Sequence, residues 1–196
     1  MSKPDPSASK KERSKTVRWV VTIFIVTIII SGTISFVSDY IMESSSVAVA
    51  FLILLCIVLL GIVFDVIGVA VTSADERPFH SMAARKVPGS QEAIRLLRRA
   101  ERVSSICNDV VGDICGVVSG AASATIALQI LENFQFSKTQ MISLLISAFV
   151  AGLTVGGKAI GKTVAIKSCT EIVTTVGKFI YYINSIPTLL KKNNNS

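Results

Sequence analysis

Charged and amide side chains lie inside long apolar stretches of this sequence, where they could hold a cation or pair with one another. They are Asp65, Asn108, Asp109, Asp113 and Lys158. A charged side chain at the lipid-exposed centre of a bilayer costs at least about 2.5 kcal/mol, so such residues usually face a protein interior or a water-filled cavity. The residue types therefore indicate an ion-handling protein whose polar groups are enclosed by helices.

Four apolar stretches set the positions of these groups, at 17–37, 46–72, 104–131 and 139–161. Each reaches the roughly 20 residues that a helix needs to cross a hydrocarbon core about 30 Å thick. The chain has 196 residues, of which 51% are apolar, so four spans leave no room for a large soluble domain. We predict an all-α integral membrane protein, with 17–37 as a retained transmembrane helix rather than a cleaved signal peptide.

The basic residues predict the orientation. With both termini in the cytoplasm, Lys138 is the only one of 20 lysines and arginines that falls on the far side. The positive-inside rule selects this topology, which gives a multi-pass protein of the inner (plasma) membrane. The net charge of +7 then reflects attraction to anionic membrane lipid, and no nucleic-acid partner is expected.

The segments between and beyond the spans also have a pattern. We expect a disordered basic tail at 1–16 and a polar tail at 188–196. Residues 74–103 are predicted to form a cytoplasmic amphipathic hairpin, divided by the Pro88-Gly89 turn signal. Apolar residues at helical spacing predict an amphipathic juxtamembrane helix at 163–187, lying at the interface and not forming a fifth span.

Three glycines in the third stretch predict close helix packing. Gly112, Gly116 and Gly120 recur every four residues, and such small-residue stripes let helix backbones approach each other in a bilayer. Counting at about 1.5 Å per residue places the embedded polar groups at one depth, in the half of the membrane nearest the cytoplasm.

Three interpretations of that polar layer remain open. In the first, Asp65, Asn108 and nearby carbonyl oxygens bind a hard cation such as Mg²⁺, which prefers oxygen ligands. In the second, Lys158 is an internal counter-ion of Asp65 or Asp109 and no metal binds. In the third, Lys158 and Asp109 extend to the membrane surface and have little role.

Three motifs resemble the transmembrane domain of the CNNM/CorC (cyclin M, CorB) family. They are Phe64-Asp-Val-Ile-Gly-Val-Ala-Val-Thr-Ser-Ala-Asp75, Cys107-Asn-Asp-Val-Val-Gly112 and Gly157-Lys-Ala-Ile-Gly-Lys-Thr-Val-Ala165, and the resemblance covers about 46–185. It implies a three-span core at 46–162 with a cavity open to the cytoplasm, a homodimer, and Mg²⁺ binding for transport. The positions matching the family's cation ligands are Asp65, Asn108 and Lys158. We expect Asp65, Asn108, Asp109 and Gly157 to form the cation site, with Lys158 as a counter-ion or a substitute for the cation.

The departures from the family pattern matter for function. A carboxylate, Asp65, stands where the family has serine, and an ammonium, Lys158, stands where it has glutamate. Either Asp65 supplies the lost carboxylate while Lys158 pairs with Asp109, or the Lys158 ammonium takes the place of the cation. The 17–37 span is an addition, and the family's nucleotide-sensing CBS pair is not expected, so no bound nucleotide is expected either.

Two functions follow as expectations. The first is a divalent-cation (Mg²⁺) transporter or exchanger. The alternative is a non-transporting membrane module that assembles with a full-length family member or a regulatory protein. We expect no enzyme, because the chain has a single histidine, His80, and no nucleophile–base pair or phosphate-binding loop preceded by a strand.

Overall fold

The computed structural model describes residues 6–43, 45–134 and 139–193, and these ranges contain helices and short turns but no strand. The helices are α1 Pro6–Glu43, α2 Val47–Ser73, α3 Arg77–Ala84, α4 Ser90–Leu97, α5 Ala100–Ser105, a π-helix Ile106–Gly112, α6 Asp113–Phe134, α7 Thr139–Lys167 and α8 Cys169–Asn193. The all-helical prediction is confirmed for the described residues.

Four helical segments are long and apolar enough to cross a membrane. They are Thr16–Ser38, Val47–Ser73, Ala100–Ile130 and Leu144–Lys167. Each overlaps one of the four apolar stretches of the sequence, so the number and placement of these helices are as predicted. The segment α8 is not among them.

The second helix lies at the centre of the bundle. Its buried residues Ala50, Leu54 and Val58 pack with Ile126 of α6 and Val150 of α7. The helix stays exposed on its other side, where Leu52 is 61% and Val63 is 52% exposed. Its apolar residues are therefore spread around the whole helix and are not confined to the stripe that packs within the chain.

The helix α1 packs on the outside of this core. Its residues Ile23 and Ile34 contact a second apolar cluster formed by Val110, Ile114 and Val118. None of the most apolar window of α1 is buried within the chain. It is therefore a peripheral addition to the three-helix core of α2, α6 and α7.

A third cluster closes the end of the bundle that carries the α3–α4 hairpin, which we call the hairpin end. Phe79 of α3, Ala93 of α4 and Val173 of α8 are fully buried there. Gly89, just before α4, has φ +83°, and its backbone lies directly against Gly177 and Lys178 of α8. A residue with a β-carbon would be strained in that conformation and would collide with α8.

Two segment boundaries differ from those expected. The basic tail expected to be disordered at 1–16 is helical from Pro6 onward, since proline is well suited to the first turn of a helix; residues 1–5 lie outside the described ranges. The helix expected at 163–187 begins at Cys169, because no glycine or proline between 162 and 167 stops α7 before Lys167. It also extends to Asn193, into the tail expected at 188–196.

Candidate ammonium–carboxylate site

One face of α2 is built to approach the π-helix and α6 closely. Gly61, Asp65 and Gly68 recur at spacings of four and three, so they share that face. Gly61 lies against the side chain of Cys115, and Gly68 lies against the amide group of Asn108. Asp65, between the two glycines, is only 4% exposed. The carboxylate is thus enclosed where the helix backbones come together.

Lys158 of α7 provides the positive charge for this carboxylate. Its Nζ atom lies 3.3 Å from Oδ2 of Asp65. The same ammonium donates a hydrogen bond of 3.2 Å to the carbonyl oxygen of Gly112. The lysine side chain is 21% exposed, so the pair is largely withdrawn from the surroundings, and the Gly112 carbonyl gives the ammonium a second partner.

Glycines allow this approach from two directions. A β-carbon at Gly112 would collide with Oδ1 of Asp65, so glycine lets the carboxylate lie against the helix backbone. On α7, Gly157 lies against Ile62 of α2, one residue before Lys158. The position of Gly157, expected as part of a cation site, is therefore a packing contact that brings α7 onto α2.

The motif at 107–112 lies within the π-helix Ile106–Gly112. Such segments are rare and frequent at functional sites. Here Nδ2 of Asn108 donates to Oγ of Ser104 at 3.2 Å. Its Oδ1 is buried and has no hydrogen-bond partner among the described residues. This unsatisfied acceptor lies against Gly68, one turn along α2 from Asp65.

The other two acidic residues of this region are outside the pair. Asp109 and Asp113 are exposed, and Oδ2 of Asp109 accepts a hydrogen bond of 2.8 Å from Ser105. Asp109 directly follows Asn108, which lies against Gly68 of α2, so the two side chains lie on different sides of the helix. Lys158 is therefore paired with Asp65, and the pairing of Lys158 with Asp109 is not the one that the structure has.

Among the described residues, the glycine stripe at 112, 116 and 120 contributes to packing at one position. Gly112 contacts Asp65, but no described residue lies within 4 Å of where a β-carbon would stand at Gly116 or Gly120. Residues spaced by four advance about 40° around an α-helix at each step, so the stripe turns away from α2. Gly116 and Gly120 instead border a cavity of about 470 Å³ between α6 and α7, which Lys158 also lines.

The arrangement does not fit Mg²⁺ while Lys158 stays in place. Among the described residues no three His, Cys, Asp or Glu side chains come together. Two oxygen atoms that could bind a cation, Oδ2 of Asp65 and the carbonyl oxygen of Gly112, are already partners of the ammonium. The role of the Gly112 carbonyl was not predicted from sequence; the only signal was a glycine already assigned to helix packing.

Comparisons with known proteins identify no relative. No protein-family model matches the chain, and no curated protein or solved structure matches it. The resemblance to the CNNM/CorC transmembrane domain stays a hypothesis that rests on the three motifs themselves.

Proposed function

We propose that this chain is a multi-pass protein of the inner (plasma) membrane, with both termini in the cytoplasm. Four long apolar helices support the proposal, and so do their many exposed large apolar side chains. In water that much exposed apolar surface would cause association, whereas lipid covers it at no cost. The distribution of lysine and arginine supports the orientation.

Within the membrane we assign the chain the role of a non-transporting interaction module. The observation that carries this is the position of the Lys158 ammonium, between Asp65 and the Gly112 carbonyl. A divalent ion about 4 Å from this ammonium would be repelled by about 8 kcal/mol at an effective dielectric constant of 20. The ammonium thus pairs with Asp65 and lies where a cation held by Asp65 and Gly112 would lie.

The same proposal assigns the outer surfaces of α1 and α7 to partners. The most apolar window of α7 is 6% buried and that of α1 is wholly unburied within the chain. A second copy of this chain, or a full-length protein of the CNNM/CorC family, would cover part of this surface, and lipid would cover the rest.

Divalent-cation transport is the second candidate function. It is favoured by the buried, unpartnered Oδ1 of Asn108, because a buried acceptor without a donor costs about 1–3 kcal/mol and a cation would satisfy it. Under this candidate, Lys158 would have to leave so that Asp65, Asn108 and Gly112 could hold Mg²⁺.

Thermal unfolding of the purified protein in detergent, titrated with MgCl₂, separates the two candidates. For the module we expect no response in wild type and a rise in Tm for Lys158→Glu, which restores a carboxylate and removes the ammonium. A ligand at a hundred times its Kd stabilises by about 2.7 kcal/mol. Lys162→Glu, an exposed change one turn along α7, is the matched control.

The opposite outcome is equally specific. Stabilisation of wild type by Mg²⁺, lost in Asp65→Ala, would overturn the module and support cation transport. Stabilisation of both Lys158→Glu and Lys162→Glu would show a nonspecific effect of added carboxylate, and would remove the support for a site at Lys158.

A further inference from the structure

The interface between α1 and the segment 100–118, which we call the seam, opens into a cleft at the end nearest Thr16. Within the seam, Ile23 of α1 packs against the apolar cluster of Val110, Ile114 and Val118. One and two turns earlier on the same face of α1 lie Trp19 and Thr16, at helical spacings of four and three. These two residues and Glu101 and Arg102 of α5 line a cleft of about 260 Å³.

The cleft lies where two of the long apolar segments begin. The apolar stretch of α1 begins at Val17, and the segment Ala100–Ile130 begins at Ala100. Because Thr16, Trp19, Glu101 and Arg102 line one cleft, the starts of these two apolar segments lie at the same level. Trp19 is 38% exposed there, and tryptophan is enriched where membranes meet water.

The two charged groups of the cleft have no partner within the described part of the chain. Arg98 and Arg95 are paired with glutamates elsewhere in the hairpin region, but neither the Arg102 guanidinium nor the Glu101 carboxylate takes part in a hydrogen bond or ion pair there. One cation and one anion that are unpaired among the described residues thus line this cleft, and both also border a neighbouring cavity.

We propose that this cleft binds the headgroup of a phospholipid that carries both a phosphate and a primary ammonium, as phosphatidylethanolamine does. Arg102 binds the phosphate, since a guanidinium makes strong charge-assisted hydrogen bonds to phosphate oxygens. Glu101 accepts hydrogen bonds from the ammonium. An anionic headgroup would leave Glu101 without a partner and close to a like charge, and a choline headgroup has no N–H to donate.

The surroundings indicate a lipid rather than a soluble phosphoethanolamine. Above the cleft, the flanks of the seam expose apolar side chains, with Val20 54% and Ile106 49% exposed. Acyl chains attached to a headgroup in the cleft would lie along these flanks. The added helix α1 thereby acquires a role, since Thr16 and Trp19 form one of the two walls.

Native mass spectrometry of the whole chain in detergent, with phosphatidylethanolamine, phosphatidylglycerol and phosphatidylcholine of identical acyl chains, tests the site. We expect wild type to retain phosphatidylethanolamine best. Glu101→Gln should reduce the preference over phosphatidylcholine by about tenfold, the worth of one charged hydrogen bond. Arg102→Gln and Trp19→Leu should weaken retention of all three lipids. Glu171→Gln and Arg85→Gln, at exposed positions that do not line the cleft, are the controls.

Three results would overturn the inference. They are a preference for phosphatidylglycerol in wild type, equal retention of the three lipids, and displacement of the lipid by equimolar phosphoethanolamine without acyl chains. Circular dichroism of each variant shows whether it is folded, and Trp19→Leu tests the opposite wall if a change in α5 unfolds the chain. The inference rests on the proposed membrane location but not on the role of Lys158. Resistance of the protein to alkaline extraction from membranes tests that location separately.

Discussion

Lys158 and Asp65 form a largely buried ion pair between α7 and α2, with 3.3 Å between Nζ and Oδ2. Forming such a pair costs several kcal/mol of desolvation for each ion, which only good geometry and additional hydrogen bonds recover. The Gly112 carbonyl supplies one of those bonds. Removing one member of the pair should therefore cost more than removing both.

Lys158→Met should lower the free energy of unfolding by about 3–5 kcal/mol, because it leaves the Asp65 carboxylate buried and unpaired. The double change Lys158→Met with Asp65→Leu should recover most of this loss. Unfolding in detergent, measured for both single variants and the double variant, gives the coupling energy. Lys162→Met, at an exposed position, should change stability by no more than about 0.5 kcal/mol. A double variant as unstable as the sum of the two single variants would show that the pair is not coupled.

Gly112→Ala should destabilise the protein by about 1–3 kcal/mol, since the new methyl group would collide with Asp65. Gly120→Ala offers a matched control eight residues further along, in α6, because no described residue lies within 4 Å of a β-carbon placed there. It should be neutral or stabilising by up to about 1 kcal/mol through helix propensity. Thermal unfolding of the two variants side by side measures the difference, and equal effects would contradict the close approach of Asp65 to Gly112.

Gly89→Ala should destabilise the hairpin end by more than about 1 kcal/mol, because φ is +83° and the backbone of α8 lies against this residue. Limited proteolysis between α3 and α4 should become faster.

Lys86→Gly, in the same turn, should have the opposite effect on proteolysis. Lys86 has φ +56° without being glycine, so the change should slow cleavage or leave it unaltered. Faster cleavage of Lys86→Gly would show that the turn is held by side-chain contacts and not by backbone conformation.

Glu76 should make stability depend on pH. A hydrogen bond of 2.9 Å from Arg98 holds the pKa of Glu76 below its usual value, although burial opposes this shift, and the nearby charges of Arg98 and His80 lower the pKa further. Because the folded state has the lower pKa, the stabilisation is complete above the ordinary pKa of glutamate. It is lost as pH falls through the lowered pKa.

Thermal unfolding of Glu76→Gln and wild type across this range checks the prediction. The variant should be less stable at neutral pH, and the two curves should converge in acid. Glu171→Gln removes an exposed carboxylate with no ion pair among the described residues, so its difference from wild type should not vary with pH in this way. Parallel curves for Glu76→Gln and wild type would contradict the assignment.

The positions of the long apolar helices and the depth of the polar groups along them could be predicted from the sequence. Hydropathy located the four long helices, and counting residues placed Asp65 and Lys158 at the same level, where the structure joins them. The Pro88-Gly89 signal marked the turn between α3 and α4. These features depend on composition and spacing, which can be read from a single sequence.

The choice of partner for Lys158 could not be predicted in this way. It depends on which side of the helix each acidic residue faces, and the π-helix at 106–112 changes that direction for Asn108 and Asp109. A π-helix adds a fraction of a residue to each turn, and no residue type announces it. The role of the Gly112 carbonyl could not be predicted either, because every residue has a backbone carbonyl and the residue type gives no signal.

Ser168 is the single residue between α7, which carries Lys158, and α8, which holds the hairpin. The hairpin is clamped to α8 through Gly89 and Gly177, and α8 follows α7 after only one residue. Ser168 lies ten residues from Lys158, a distance of about 15 Å along α7. A displacement of the hairpin would therefore move α8 as well. The backbone at Ser168 would either absorb this movement or transmit it along α7 to Lys158.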